Sequence, residues 1–152
     1  MLSSPVPLRR GMYGVFCALY VLVLLAATLL KGWLSIDAVW DVEAQQQRSL
    51  DFVLFDGFAS PSVWWAPWLN TVGNVLLFIP LGALVARYRR GRRPLWWAGV
   101  VGLLTSLAIE ATQYIAAVGY SDVDDLLCNT LGALLGAAIY ALIYRQGPRA
   151  AR

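Results

Sequence analysis

The chain reads as all-α, a polytopic four-helix transmembrane bundle, and three observations predict this. First, its 152 residues are 59% hydrophobic and only 14% charged, with a mean hydropathy of +0.61. A soluble domain of this length carries more charge and shows clear amphipathic alternation. Second, four apolar stretches, residues 12–30, 64–86, 94–118 and 123–144, are each long enough to cross ~30 Å of hydrocarbon as a helix. Third, charge is segregated. Arg9 and Arg10, then Arg87, Arg89, Arg90, Arg92 and Arg93, then Arg145, Arg149 and Arg152 all fall on one side of a four-span arrangement, with only Lys31 and Arg48 on the other. The positive-inside rule then places both termini and the 87–93 arginine loop in the cytoplasm. Of the nine acidic residues, eight lie in or beside the opposite loops, and the ninth, Glu110, lies within the third span. The spans and their connections take up nearly the whole chain, so residues 1–152 read as a single membrane domain.

The first span follows Arg9 and Arg10 as a signal peptide would. Its apolar run is longer than an h-region, however, and no small-x-small cleavage site follows, so it reads as a retained helix. The outer loop, 31–63, carries Asp37, Asp41, Glu43, Asp51 and Asp56 between the apolar clusters Val39-Trp40 and Phe52-Val53-Leu54-Phe55. Two readings stay open: a segment lying in the headgroup layer or folded back over the bundle as a lid, and a solvated connector. Trp64, Trp65 and Trp68 open the second span and Trp96 and Trp97 the third, as an interfacial belt does. Pro80, inside the second span, must release a helical backbone bond. The arginine loop suits topogenesis and anionic headgroups rather than nucleic acid, because it sits between two apolar spans. Cys17 and Cys128 fall on different helices without metal-ligand spacing, and the lack of any histidine excludes imidazole-based zinc or triad chemistry.

Function is most legible in the polar residues of the spans. The third span aligns Gly99, Gly102, Ser106, Glu110 and Gln113; the fourth aligns Asp122, Asp125, Asn129, Gly132, Gly136 and Tyr140; the second adds Asn70 and Asn74. Steps of three and four residues place each set on one helix face. Polar groups in hydrocarbon need partners, so these stripes are expected to face one another. Gly132 and Gly136 form a small-xxx-small pair, expected to meet Gly99 and Gly102 where the third and fourth helices pack closely. At ~1.5 Å per residue, Glu110 lies about 12 Å inward from Val118 and Asn74 about 13 Å inward from Trp65. All the groups thus fall in the outer half of the bilayer.

The expected ligand-binding pocket comprises Glu110, Gln113, Asn70, Asn74, Asp122, Asp125, Asn129 and Ser106. Plainer readings stand beside it: Glu110 hydrogen-bonds Asn74 or Asn129 and joins helices, Asp122 caps the fourth helix, and Asp124 is merely solvated off the stripe. Carboxylates and carboxamides suit amines and sugar hydroxyls. A phosphorylated ligand would need a divalent cation, for which Asp122, Asp124 and Asp125 are the candidate metal ligands.

Three segments carry a family resemblance: Asn70-Thr-Val-Gly-Asn74-Val-Leu-Leu-Phe-Ile-Pro80-Leu-Gly82, Ser106-Leu-Ala-Ile-Glu110-Ala-Thr-Gln113, and Asp122-Val-Asp-Asp125-Leu-Leu-Cys-Asn129-Thr-Leu-Gly132-Ala-Leu-Leu-Gly136. In this order the chain resembles the VanZ-like family of small bacterial integral membrane proteins, over residues 69–144. The resemblance implies a bacterial plasma-membrane protein with a cell-envelope role, near peptidoglycan precursors or lipid-linked sugars, since the family's named member is associated with resistance to teicoplanin. Many members carry an arginine shortly before the aspartate run; here Val118-Gly-Tyr-Ser121 has no basic residue, which weakens direct phosphate binding there. The leading expectation is a non-enzymatic protein that binds or moves a lipid-linked sugar or glycopeptide-like amphiphile, with membrane lipids as partners. The alternatives are an intramembrane metal-assisted enzyme acting on a lipid-linked phosphate, and a proton-coupled transporter, which with four spans would require a homodimer.

Overall fold

The structure is a computed structural model and describes residues 6–29, 50–59, 61, 63–89, 93–116 and 121–145. The apolar pair Val39-Trp40, the acidic Asp37, Asp41 and Glu43, Arg90 and Arg92 of the arginine loop, and Val118 to Tyr120 lie outside the described residues, as do Arg149 and Arg152.

Among the described residues four long helices form: α1 (Val6–Leu29), α2 (Ala66–Tyr88), α3 (Pro94–Ala116) and α4 (Val123–Arg145). All four are long and apolar enough to cross a membrane, and the outward faces of α1 to α4 are covered with exposed leucine, valine, isoleucine and aromatic side chains. Such faces suit contact with lipid. The expected spans coincide with these helices to within about two residues, except that α1 begins earlier. Two-residue strands β1 (Leu50–Asp51) and β2 (Ser121–Asp122) pair in parallel, Leu50 beside Ser121 and Asp51 beside Asp122. A single 3₁₀ turn, Asp56–Phe58, follows β1.

Helices α2 and α4 form the tightest pair, and glycine makes that closeness possible. A Cβ on Gly82 would strike the carbonyl of Ala133, one on Gly132 the carbonyl of Val75, and one on Gly136 the carbonyl of Ile79. The glycines of α4 therefore seat against the backbone of α2. This corrects the expectation that they meet Gly99 and Gly102, which instead face the side chains of Leu134 and Ala133. The reason is register: Asn74, Phe78, Gly82 and Ala86 step by four along one buried stripe of α2, which supplies a groove deep enough for α4.

Helix α1 is attached more loosely; Leu24 packs with Phe78 and Ile109, and a hydroxyl reaches across to α2. The Tyr20 Oη donates to the carbonyl of Leu77, 2.9 Å away. Pro80 has no N–H to give the carbonyl of Leu76 and its ring disturbs the turn before it, so a donor from outside the helix is well placed there. At the opposite end from the strands, the Arg87 guanidinium lies 4.9 Å from the Tyr13 ring and that of Arg89 4.2 Å from the Trp97 ring. Two arginines of the 87–93 stretch thus tie helices together by cation–π contact as well as marking charge.

Candidate functional site

The polar residues of the spans gather at the bundle end that carries β1 and β2. Asn70 and Asn74, one turn apart on α2, point their amides at the same oxygen of α4: Asn70 Nδ2 donates to Asp125 Oδ1 at 2.8 Å, and Asn74 Nδ2 donates to the same atom. On α3, Ser106 Oγ accepts from Asn129 Nδ2 at 2.9 Å, and its hydroxyl lies 3.5 Å from the Asp125 carbonyl, at the long limit of hydrogen bonding. Asn74, Ser106, Asp125 and Asn129 are all buried. One network therefore crosses α2, α3 and α4, as the three stripes predicted.

Glu110 sits on α3 beside this network, buried, and serves the chain between α3 and α4. Its Oε2 accepts the backbone N–H of Asp122 at 2.9 Å, and its carbonyl accepts the Ser121 hydroxyl at 2.9 Å. Asp122 in turn caps α4: its Oδ1 accepts the N–H of Asp124 at 2.8 Å. Burial is the main cause that pushes the Asp122 carboxyl up to about 6. The capping hydrogen bond works against that rise, while the neighbouring Asp125, Asp124 and Asp51 reinforce it.

Two expectations are corrected. Gln113 does not join the Asp125 network; its Nε2 donates to the carbonyl of Thr28 at 3.0 Å, so it fastens α3 to α1. Gln113 lies beyond Glu110 toward the C-terminal end of α3, where α1 is the facing element. Asp124 is not a solvated bystander. It is buried beneath the 50–59 segment, and its Oδ2 accepts the N–H of Phe55 at 2.8 Å. This contact makes the segment fold back onto the bundle end, the first of the two readings left open for it. Phe58 completes the attachment edge-to-face on Trp68, with ring centroids 5.0 Å apart.

The candidate metal ligands diverge. Asp122 turns to its own helix start, Asp124 to Phe55, and Asp125 to Asn70 and Asn74. Among the described residues, no three His, Cys, Asp or Glu side chains are grouped to hold a metal ion. Cys17 and Cys128 are free thiols.

Sequence reasoning missed Ser121 and Tyr20 and undervalued Asp124. Ser121-Asp-Val-Asp124 ahead of an apolar run is a capping-box pattern and signals a structured helix entry. For Tyr20 the only signal was a hydroxyl one span away from a proline, which hydropathy does not register. Three buried side-chain atoms have no hydrogen-bond partner among the described residues: Gln113 Oε1, Asp124 Oδ1 and Asn129 Oδ1. All three are acceptors.

Such a fold, with a buried carboxylate–carboxamide network at one end of four lipid-exposed helices, defines a small polytopic membrane protein. The chain belongs to the VanZ/LLP1 family, which it matches over residues 16–144. It is similar to the protein VanZ of Enterococcus faecium, 31% identical over 137 residues that cover 89% of this chain and 74% of that protein. No solved structure matches it.

Proposed function

We propose that this protein binds or moves a lipid-linked or amphiphilic molecule of the cell envelope, without catalysing a reaction, and that the network around Glu110, Asp125 and Asn129 engages its polar head. The supporting observation is the set of buried acceptors without partners, Asn129 Oδ1 above all, since it sits within the network itself. Burying an amide or carboxylate oxygen unpaired costs about 1–3 kcal/mol, so a group that brings donors to it is stabilised there. Hydroxyls, amines and amide N–H groups fit that demand. A bare phosphate does not, because it offers only acceptors to a region already lined with carboxylates. The head is therefore a sugar or an amine rather than a phosphate.

The test is lipidomics and native mass spectrometry on the protein purified gently in lipid. A co-purified species with a hydroxyl- or amine-rich head is expected, and it should be lost in Glu110→Gln and Asn129→Ala although both variants stay folded. Equal lipid profiles for wild type and both variants would sink the reading. A contribution to teicoplanin tolerance, drawn from the family, is checked separately by expressing the same three proteins in a sensitive bacterium.

The same reading puts the network end outside and both termini in the cytoplasm, on the strength of the arginine distribution. Cysteines introduced at Gly57 and near Arg149 test it with a membrane-impermeant thiol reagent. Labelling of the first alone in intact cells is expected; labelling of the second alone reverses the orientation.

A further inference from the structure

Residues 50–59 are tied to the bundle end at three points. β1 pairs with β2, which runs directly into α4; Phe55 donates its N–H to Asp124 in the first turn of α4; and Phe58 packs on Trp68 in the first turn of α2. These ties fix the height of the segment. It lies level with the ends of the spans, where the exposed Trp64 and Trp68 also sit.

A soluble cover would turn its apolar side chains down onto the bundle. This one turns them away. Phe52 is 76% exposed, Val53 61%, Leu54 53% and Phe55 44%, four consecutive apolar residues with no polar side chain among them. The backbone holds them in that posture. Asp51 Oδ1 accepts the N–H of Val53 at 2.9 Å, and Phe55 takes a left-handed conformation, φ 56° and ψ 25°, which bulky residues rarely adopt. Exposed apolar runs of this length at the height of a tryptophan belt continue the lipid-facing surface of the helices rather than interrupt it.

We propose that residues 52–55 are inserted into the lipid of the leaflet on their side of the bilayer. Phe52, Val53 and Leu54 reach the acyl boundary, and Asp56 faces water. The buried network is then covered by a segment that is itself seated in lipid, and the leaflet reaches the rim of that network from the side. The segment has no basic residue, so insertion depends on apolar burial and not on anionic headgroups.

The experiment uses full-length protein with Cys17→Ala and Cys128→Ala, reconstituted in nanodiscs, with single spin labels at Phe52→Cys, Val53→Cys, Leu54→Cys and Gly57→Cys. Collision with oxygen is compared with collision with a polar nickel chelate. The ratio is expected to be several-fold higher at 52 to 54 than at 57, and to be the same in neutral phosphatidylcholine and in phosphatidylglycerol. Equal, chelate-dominated ratios at all four positions would overturn the proposal. So would broadening between labels at 53 that vanishes on dilution with unlabelled protein, which would mean that a second copy covers the patch. If the cysteine-free protein does not fold, hydroxyl-radical footprinting of the wild type in nanodiscs takes its place. Protection of Phe52 and Phe55 supports insertion, and modification as fast as in an unfolded peptide overturns it.

Discussion

The two ends of the α2–α4 interface hold the same pair of helices together by opposite means. Toward the arginine end, Gly82, Gly132 and Gly136 bring backbone against backbone. Toward the strand end, Asn70 and Asn74 reach across to Asp125 and the helices are joined by hydrogen bonds. The first device works only through the absence of atoms, the second only through their presence. In lipid, where apolar burial does not draw helices together, close packing and interhelical hydrogen bonds are the two forces that remain. This protein uses one at each end, and the hydrogen-bonded end is where the carboxylate and carboxamides of the spans meet.

One methyl group at the glycine end should cost the most. Gly136→Ala sets a Cβ against the carbonyl of Ile79 and is expected to lower stability by about 1–3 kcal/mol, the range for overpacking a tight core, read from unfolding in mixed detergent. An unchanged midpoint would mean that the two backbones are not in contact. At the polar end, Asp125→Ala leaves the Asn70 and Asn74 amides without the oxygen they share and is expected to cost about 2 kcal/mol. Here Asp125→Asn should recover part of the loss, whereas no larger side chain can recover anything at Gly136.

A smaller effect distinguishes the ends by pH. The Asp122 carboxyl titrates near 6 when folded against an ordinary 3.8, so the folded protein keeps this proton where the unfolded chain has lost it. Its contribution to stability is full below about pH 4 and fades as the pH rises through about 6. Asp122→Asn keeps the cap and removes the titration. Thermal unfolding of the wild type should therefore weaken from pH 5 to pH 7 more than that of the variant, and parallel slopes would refute the assignment. The smallest effect is a control on the same helix as Gly82. Gly73 has nothing within 4 Å of a would-be Cβ, so Gly73→Ala should be neutral or stabilise by up to about 1 kcal/mol through helix propensity.

The four helices were legible because hydropathy over some twenty residues needs no knowledge of partners. Asn74, Ser106, Asp125 and Asn129 were legible for a related reason: spacing by three and four assigns residues to one face, and lipid forces polar faces inward. Which helix each face meets was not legible. Gly132 and Gly136 were expected against α3 and lie against α2, because the choice turns on the groove that Gly82 opens, a single residue in an otherwise apolar run. Gln113 went to α1 because its acceptor is the backbone carbonyl of Thr28, and every residue has one. Asp124 looked solvated because the element that buries it, residues 50–59, is far away in the chain.

That distance sets the order of assembly. The paired strands run parallel, and the chain joining them passes through two complete spans. During translation, residues 50–51 emerge well before Ser121 and Asp122 exist, so their pairing waits until the chain has passed the third helix. A nascent chain halted after α3 has no anchor for Phe55, and seating of these few residues marks a chain in which the start of α4 has reached the bundle.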